Sequence, residues 1–229
     1  MSDEATMKTP LAAADAPATT EAPATAEAPA AATEQTEAVP AEIVPKHPLQ
    51  HKWVLWYDNP KKKLATETWE ENLKKIYTFD TVEDFWCLFN NVLPPTKLST
   101  GSNYHLFKEG IRPMWEDPIN MKGGKWILTN TRQRRARLDD SWMHVMLALI
   151  GEALEDDDDV CGCVVSVRKS QDRLAVWTKT AVNEPLQRAV GRNFRKVLDL
   201  GKNEVLKFQS HADAAASGSS FQNEVLYDA

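Results

Sequence analysis

No run of roughly 18 consecutive apolar residues occurs in this 229-residue chain, so no segment reads as a membrane-spanning helix. The first residues lack the basic-then-apolar layout of a secretory leader, and none is expected. Cysteine is scarce. Cys87, Cys161 and Cys163 form an odd set with one C-x-C spacing and no second pair, and the five histidines are scattered. A zinc site is therefore disfavoured, and free buried thiols in a reducing compartment fit better. The cytosol is the expected location, with the nucleus a second compartment of the same redox character. Glycine is also sparse, nine in all, and no glycine-rich loop precedes a helix. Neither a cofactor nor a metal is expected.

Aromatic residues are missing altogether from residues 1–46, a stretch of Ala, Pro, Thr and Glu. Without large apolar side chains such a segment cannot offset the entropy of ordering it. Pro10, Pro17, Pro23, Pro29 and Pro40 would also interrupt any helix that its alanines began. It is expected to be a disordered acidic tail. It holds eight of the chain's 33 acidic and two of its 27 basic residues, which leaves 25 of each sign in residues 47–229. The net charge of −6 thus describes the tail alone. A balanced domain makes a poor general nucleic-acid binder, yet a few placed cations suffice to hold a small anionic ligand.

From His47 the texture changes. "HKWVLWYD" alternates Trp53, Leu55 and Tyr57 against Lys52, Val54 and Trp56, the period of a strand. "GKWILTN" (124–130), "CGCVVSVR" (161–168) and "RLAVWTK" (173–179) are further short runs rich in β-branched and aromatic residues. Helical spacing separates them. Val82, Phe85, Trp86 and Phe89 recur at three- and four-residue steps behind Asp80 or Thr81 as N-cap. Trp142, Val145, Met146, Leu149 and Ile150 do the same, and a third helix opens at Asn183 with Pro185 in its first turn. The strands are too short and too irregularly placed for a parallel array. The expected fold class is α+β, with helices on one face of a mainly antiparallel sheet, spanning residues 47–213. After "KFQSHAD" the chain turns to Ala, Ser and Gly, so residues 214–229 read as a mobile C-terminal segment.

All eight tryptophans lie between residues 53 and 177, more than packing demands. Trp69 in "ATETWEENL" and Trp115 in "IRPMWEDP" sit in loop-like contexts, where flat ligands stack. The plain alternative is a buried Trp115 with Glu116 a solvated turn residue. The phrases "HPLQHKWVLWY", "FDTVEDFW", "LFKEGIRPMWED", "GGKWIL", "DVCGCVVSVR" and "AVWT" decide between them, because in this order and spacing they closely resemble the eukaryotic translation initiation factor 4E family of messenger-RNA cap-binding proteins. The resemblance runs from His47 to "QSHAD" at 209–213. It implies a cupped antiparallel sheet of about eight strands with three long helices across its convex back.

The resemblance also implies a site. Trp69 and Trp115 would sandwich the 7-methylguanine, whose delocalised positive charge draws an indole face. Stacking contributes roughly 1–3 kcal/mol per base, and a desolvated cation–π term can add about 2. Glu116 would accept from the N1–H and N2–H of guanine, a pair of donors that adenine lacks. Trp177 would lie beside the N7-methyl group. Arg168 and Arg173 match the family's phosphate-binding positions, the second usually lysine, and Lys125 stands where a basic residue also contributes. On the helical side, His47, Pro48, Val82, Trp86 and the helix from Trp142 to Gly151, including Met143, His144 and Leu147, would form the groove for a partner helix. That partner, carrying a tyrosine and a leucine–hydrophobic pair, would be scaffold factor 4G or an inhibitory 4E-binding protein. This chain departs from the family phrase by reading "WMHVML", in which His144 replaces a carboxylate. Ser219 roughly matches a regulatory phosphorylation position, without the usual neighbouring basic residue.

Two rival readings follow. A cap-acting enzyme would need acidic residues at helical spacing for divalent metal, and the nearest candidate, "GEALEDDDD", is consecutive instead. A cap-binding translational repressor would hold caps without recruiting the scaffold, and Met143 with His144 is the motive for it. "TRQRRAR" (131–137) is expected to be a solvated basic loop, with RNA contact the alternative, and "EDDDD" (155–159) a solvated turn.

Overall fold

The computed structural model describes residues 45–60, 68–155, 157–218 and 223–229; the side chains of Trp69 and residues 131–134 fall outside the description. The expected tail, residues 1–46, therefore lies almost wholly outside it, as does Ser219. The chain runs β1 (Pro48–Asp58), α1 (Trp69–Asn72), β2 (Lys74–Thr81), α2 (Val82–Asn91), β3 (Asn103–Lys108), β4 (Gly124–Thr131), α3 (Leu138–Ile150), β5 (Val160–Ser166), β6 (Gln171–Thr178), α4 (Glu184–Val197), β7 (Lys207–Ser210), α5 (His211–Ser217) and β8 (Tyr227–Asp228). The strands form one antiparallel sheet in the order β2-β1-β3-β5-β6-β4-β7-β8.

Three helices exceed three turns or approach them, α2, α3 and α4, and their caps follow from sequence. Thr81 accepts from the backbone of Asp84 and Asn183 from that of Leu186. Because successive strand residues point to opposite faces, each strand divides its side chains between two clusters. Trp53, Leu55, Leu106, Trp126, Leu128, Cys163, Val165, Leu174, Val176 and Phe208 pack with Trp142, Val145, Met146 and Leu149 of α3 and Val190 and Phe194 of α4. On the opposite face Phe107, Ile127, Cys161, Val164, Ala175 and Trp177 form a smaller cluster that includes no helix residue. Gly191 of α4 lets helix and sheet meet closely, since a Cβ there would come within 2.6 Å of the Trp126 ring. Among the described residues none of the three long helices contributes to that cluster, and the site occupies its face.

Several local expectations differ from the structure. "TRQRRAR" is a 3-10 helix over Arg132–Arg137, with Arg135 lying 3.7 Å from the buried carboxylate of Asp172. "EDDDD" is more than a solvated turn. Asp158 pairs with Lys179 at 2.7 Å and His51 at 3.1 Å, and also with Lys108, while Asp159 accepts from Gln187 at 2.9 Å. Cys161 and Cys163 are buried thiols, but Cys87 is exposed. Residues 214–229 hold the end of α5 and all of β8, in which Tyr227 packs against Phe208 at a ring distance of 5.5 Å. Leu226 donates its backbone N–H to the carbonyl of Phe208 at 3.0 Å and Tyr227 pairs with Phe208 across β7 and β8.

Candidate functional site

A cavity of about 420 Å³ opens on the face of the smaller cluster, lined by Ile127, Val164, Ala175 and Trp177 from it. Trp115, Glu116, Lys125, Arg168, Arg173 and Trp177 all line it, and Pro60, Asn103, His105, Ile127, Val164, Ser166 and Ala175 contribute walls. Six of the seven residues expected to hold a ligand therefore share one cavity of ordinary small-molecule size. Trp69 is the first residue of α1, and its side chain lies outside the described residues.

The loop carrying Trp115 is held in shape by two buried polar residues. Asp117 accepts from the backbone N–H groups of Arg112 at 3.1 Å and Ile119 at 2.9 Å, and Asn120 donates to the carbonyls of Arg112 and Met114, both at 2.8 Å. Ile111 and Met114 bury their side chains beneath. Trp115 is left half-buried and Glu116 exposed, with the indole N–H donating to the Glu116 carboxylate. Thr68 and Glu71 form a capping box around α1. An exposed ion pair between Glu70 and Arg112 at 3.5 Å links the start of α1 to the Trp115 loop. Its energy is small, but it sets the two tryptophan-bearing segments side by side.

Trp177 forms the floor on β6. Phe107 meets it edge-on at 5.4 Å, and the His211 ring lies 4.0 Å behind it at 42°. Burial, and then the Lys125 charge, push the His211 pKa down to about 3, so this ring stays neutral behind the indole.

The same cavity holds three cations. Lys125 is 5% exposed, and burial followed by the Arg173 charge lowers its pKa to about 8. Burial and the Arg168 charge likewise lower Arg173. Burial lowers Arg168 too, with Asp58 and Asp172 opposing it. Among the described residues Lys125 has no carboxylate partner. A buried cation without a counter-ion is unfavourable, so three cations crowding one wall point to an anionic ligand. Indole rings and a carboxylate in one cavity with three cations suit a molecule with an electron-poor ring joined to phosphates.

On the helical side, His47 shares a 2.6 Å contact with Glu83 through Nδ1, and its carbonyl accepts from the backbone of Val82 at 2.9 Å. Those contacts fasten the start of β1 to the first turn of α2. Trp86 is 37% exposed there, an unusual expense of indole surface. Pro48 is exposed and Val82 half-buried. Met143, Leu147 and Gly151 recur every four residues along α3, the first two half-buried and the last exposed, with His144 exposed beside them.

Asn103, His105 and Ser166 escaped the sequence reading. They carry no motif, and only the register of β3 and β5 brings them to the wall, where Asn103 stands opposite Ser166.

Comparison with known proteins adds an independent line. The sequence model of the family described as Eukaryotic initiation factor 4E matches residues 48–226. A relative from Arachis hypogaea, eukaryotic translation initiation factor isoform 4E, is 45% identical over 176 residues, 77% of this chain and 86% of the relative. Among solved structures, C. elegans eIF4E-3 in complex with the 4E-binding protein Mextli and a cap analog aligns with a TM-score of 0.72 at 36% identity, covering 81% of this chain and 100% of that one. Ascaris suum eIF4E-3 with an m7G cap aligns at 0.70 and 38% identity, covering 79% and 97%.

Proposed function

Because this chain belongs to the eukaryotic initiation factor 4E family, we propose that it binds the 7-methylguanosine cap of messenger RNA in the cavity and recruits the initiation scaffold through its helical face. The observation that carries this reading is the lining of the cavity, in which Trp115, Glu116 and Trp177 share the walls with three cations, Lys125, Arg168 and Arg173. It is supported by the cap analog and the m7G cap held by the two nematode relatives.

The chemistry divides by residue. Trp115 and Trp69 offer indole faces to the methylated ring, and positive charge on that ring adds a cation–π term absent for plain guanine. Glu116 selects guanine by accepting from its two edge donors, each charge-assisted bond contributing about 1.5–3 kcal/mol. The indole N–H of Trp115 donates to one carboxylate oxygen of Glu116, which leaves acceptor sites on both oxygens for the base. Trp177 closes the floor under the methyl group. The triphosphate meets the positive charge of Lys125, Arg168 and Arg173. The chain acts by binding and not by catalysis, and its place of work is the cytoplasm.

Scaffold factor 4G, or an inhibitory 4E-binding protein, docks a helix over His47, Pro48, Val82, Trp86, Met143, His144, Leu147 and Gly151. One observation favours a second reading, a cap-binding repressor. His144 is exposed on α3 where the family pattern has a carboxylate, which removes a charge that a basic partner residue would pair with.

Capture on immobilised 7-methyl-GTP tests both parts. Retention that free 7-methyl-GTP reverses and GTP does not is expected, together with co-retention of a tyrosine- and leucine-bearing scaffold peptide. Loss of the peptide with the cap site intact turns the assignment to the repressor. No methyl-dependent retention sinks the cap reading.

A further inference from the structure

Arg168 is seated on a buried anion that the stacking and charge arguments do not use. β1 and β3 pair Asp58 with Asn103, and β3 and β5 pair Asn103 with Ser166, which brings three strands to one point of the cavity wall. Asp58 is 0% exposed. Its Oδ1 accepts from Nδ2 of Asn103 at 2.8 Å and lies 2.7 Å from Nε2 of His105. The amide oxygen of Asn103 then accepts from Nη2 of Arg168 at 2.8 Å. Nη1 of Arg168 donates to the carbonyls of Ser102 and Val167 at 3.2 and 3.0 Å. A guanidinium has five N–H donors, so these three bonds leave Nε–H and one Nη2–H for a ligand.

The amide of Asn103 works as a polar link with both ends engaged. Its NH2 group faces the carboxylate, which obliges its oxygen to face the guanidinium. Without Asp58 only Arg168 itself holds the amide, its NH2 end loses its acceptor, and the side chain that seats the guanidinium is left free to move. Oδ2 of Asp58 and Nδ1 of His105 are buried and have no hydrogen-bond partner among the described residues. Unsatisfied buried atoms of this kind weaken a fold, so the group is poorly explained by stability alone.

We propose that Asp58, acting through Asn103, is a positioning residue for cap binding that aims Arg168 at the triphosphate. The proposal deepens the cap reading and rests on it. A buried carboxylate near a phosphate site also acts by plain charge, and that effect has the opposite sign: removing it should strengthen phosphate binding. The direction of the change therefore separates positioning from electrostatics.

The test compares dissociation constants of 7-methylguanosine and 7-methyl-GTP for the wild type, Asp58→Ala and Asn103→Ala, measured by fluorescence quenching on the full chain. The ratio of nucleoside to triphosphate constants reads the phosphate contribution, and any effect common to both ligands cancels. The ratio is expected to fall about 5- to 20-fold in both variants, with nucleoside binding unchanged. An unchanged or increased ratio overturns the proposal. So does an equal loss for both ligands, which is what a merely structural role produces. Asn103→Ala keeps the Asp58–His105 contact and decides the matter alone if Asp58→Ala does not fold. A wild type that binds neither ligand contradicts the cap reading itself, an outcome distinct from the rest.

Discussion

Lys125→Met should make the free protein more stable and the ligand-binding protein worse. Lys125 is 5% exposed on β4, and its pKa falls from 10.5 to about 8 through burial and then the Arg173 charge. At 1.36 kcal/mol per pH unit, that difference corresponds to about 3 kcal/mol by which folding disfavours the ammonium. Both states are protonated below pH 8, so the folded protein carries the whole penalty at pH 7. Between pH 8 and 10.5 the unfolded chain keeps a proton that the folded chain has released, and stability therefore rises with pH across that window. Methionine keeps an apolar stem of similar length and removes the charge. The variant should exceed the wild type by up to about 3 kcal/mol at pH 7, or up to about 10 °C in melting temperature. The gap should close as pH approaches 10. Its affinity for 7-methyl-GTP should fall roughly 10-fold or more for want of one charge-assisted contact. Urea unfolding at pH 7 and pH 10 without ligand, beside a titration with 7-methyl-GTP, reads both quantities. A variant less stable than the wild type at pH 7, or a gap that ignores pH, would refute the reasoning.

Three further outcomes are expected. Trp86→Ala should remove scaffold-peptide binding by about 2 kcal/mol or more while leaving 7-methyl-GTP affinity unchanged, measured by calorimetry with each ligand in turn. Asp117→Ala frees the backbone N–H groups of Arg112 and Ile119 that shape the Trp115 loop, and should lower cap affinity about 5- to 30-fold through loss of preorganisation. Wild-type affinity for 7-methyl-GTP should be at its full value below pH 8 and decline above it as Lys125 loses its proton. Lys125→Arg, whose guanidinium stays charged, should show a smaller decline, and the difference between the two titrations removes the ligand's own ionisation.

Much of the fold was legible because it obeys simple periods. Alternation marked the segment that became β1, short runs rich in β-branched and aromatic residues marked β4, β5 and β6, and the three- and four-residue spacing with its caps marked α2, α3 and α4. The strands that escaped have physical reasons for doing so. β2 is an edge strand that leaves Ile76 and Tyr77 exposed among lysines. β3 is buried at all six positions, so its apolar and polar residues give no alternation to read. β8 is two residues long and depends on Phe208 for its packing. The tryptophans and Glu116 were found by resemblance, since composition alone leaves Trp115 as plausible in a core as in a site. The cavity then brought Trp115, Glu116, Trp177 and the three cations together. Asp58, Asn103 and His105 could not have been joined from the sequence, because residues 45 and 47 positions apart meet only through the β1–β3 register. In "EDDDD" Asp157 and Asp158 are exposed as a solvated turn requires, while Asp159 is buried and Asp158 also pairs with Lys108 and Lys179, contacts that a charge run alone does not show.

The central claim is that Trp115 and Glu116 recognise a methylated guanine, and tryptophan fluorescence tests it most directly. The full chain is titrated with 7-methyl-GTP and, in parallel, GTP, and the titrations are repeated with Trp115→Ala and Glu116→Ala. Strong saturable quenching by the methylated nucleotide, far weaker quenching by GTP, and losses of roughly 1–3 kcal/mol in each variant are predicted, about 5- to 150-fold in affinity. Equal quenching by both nucleotides, or wild-type affinity in both variants, would contradict it.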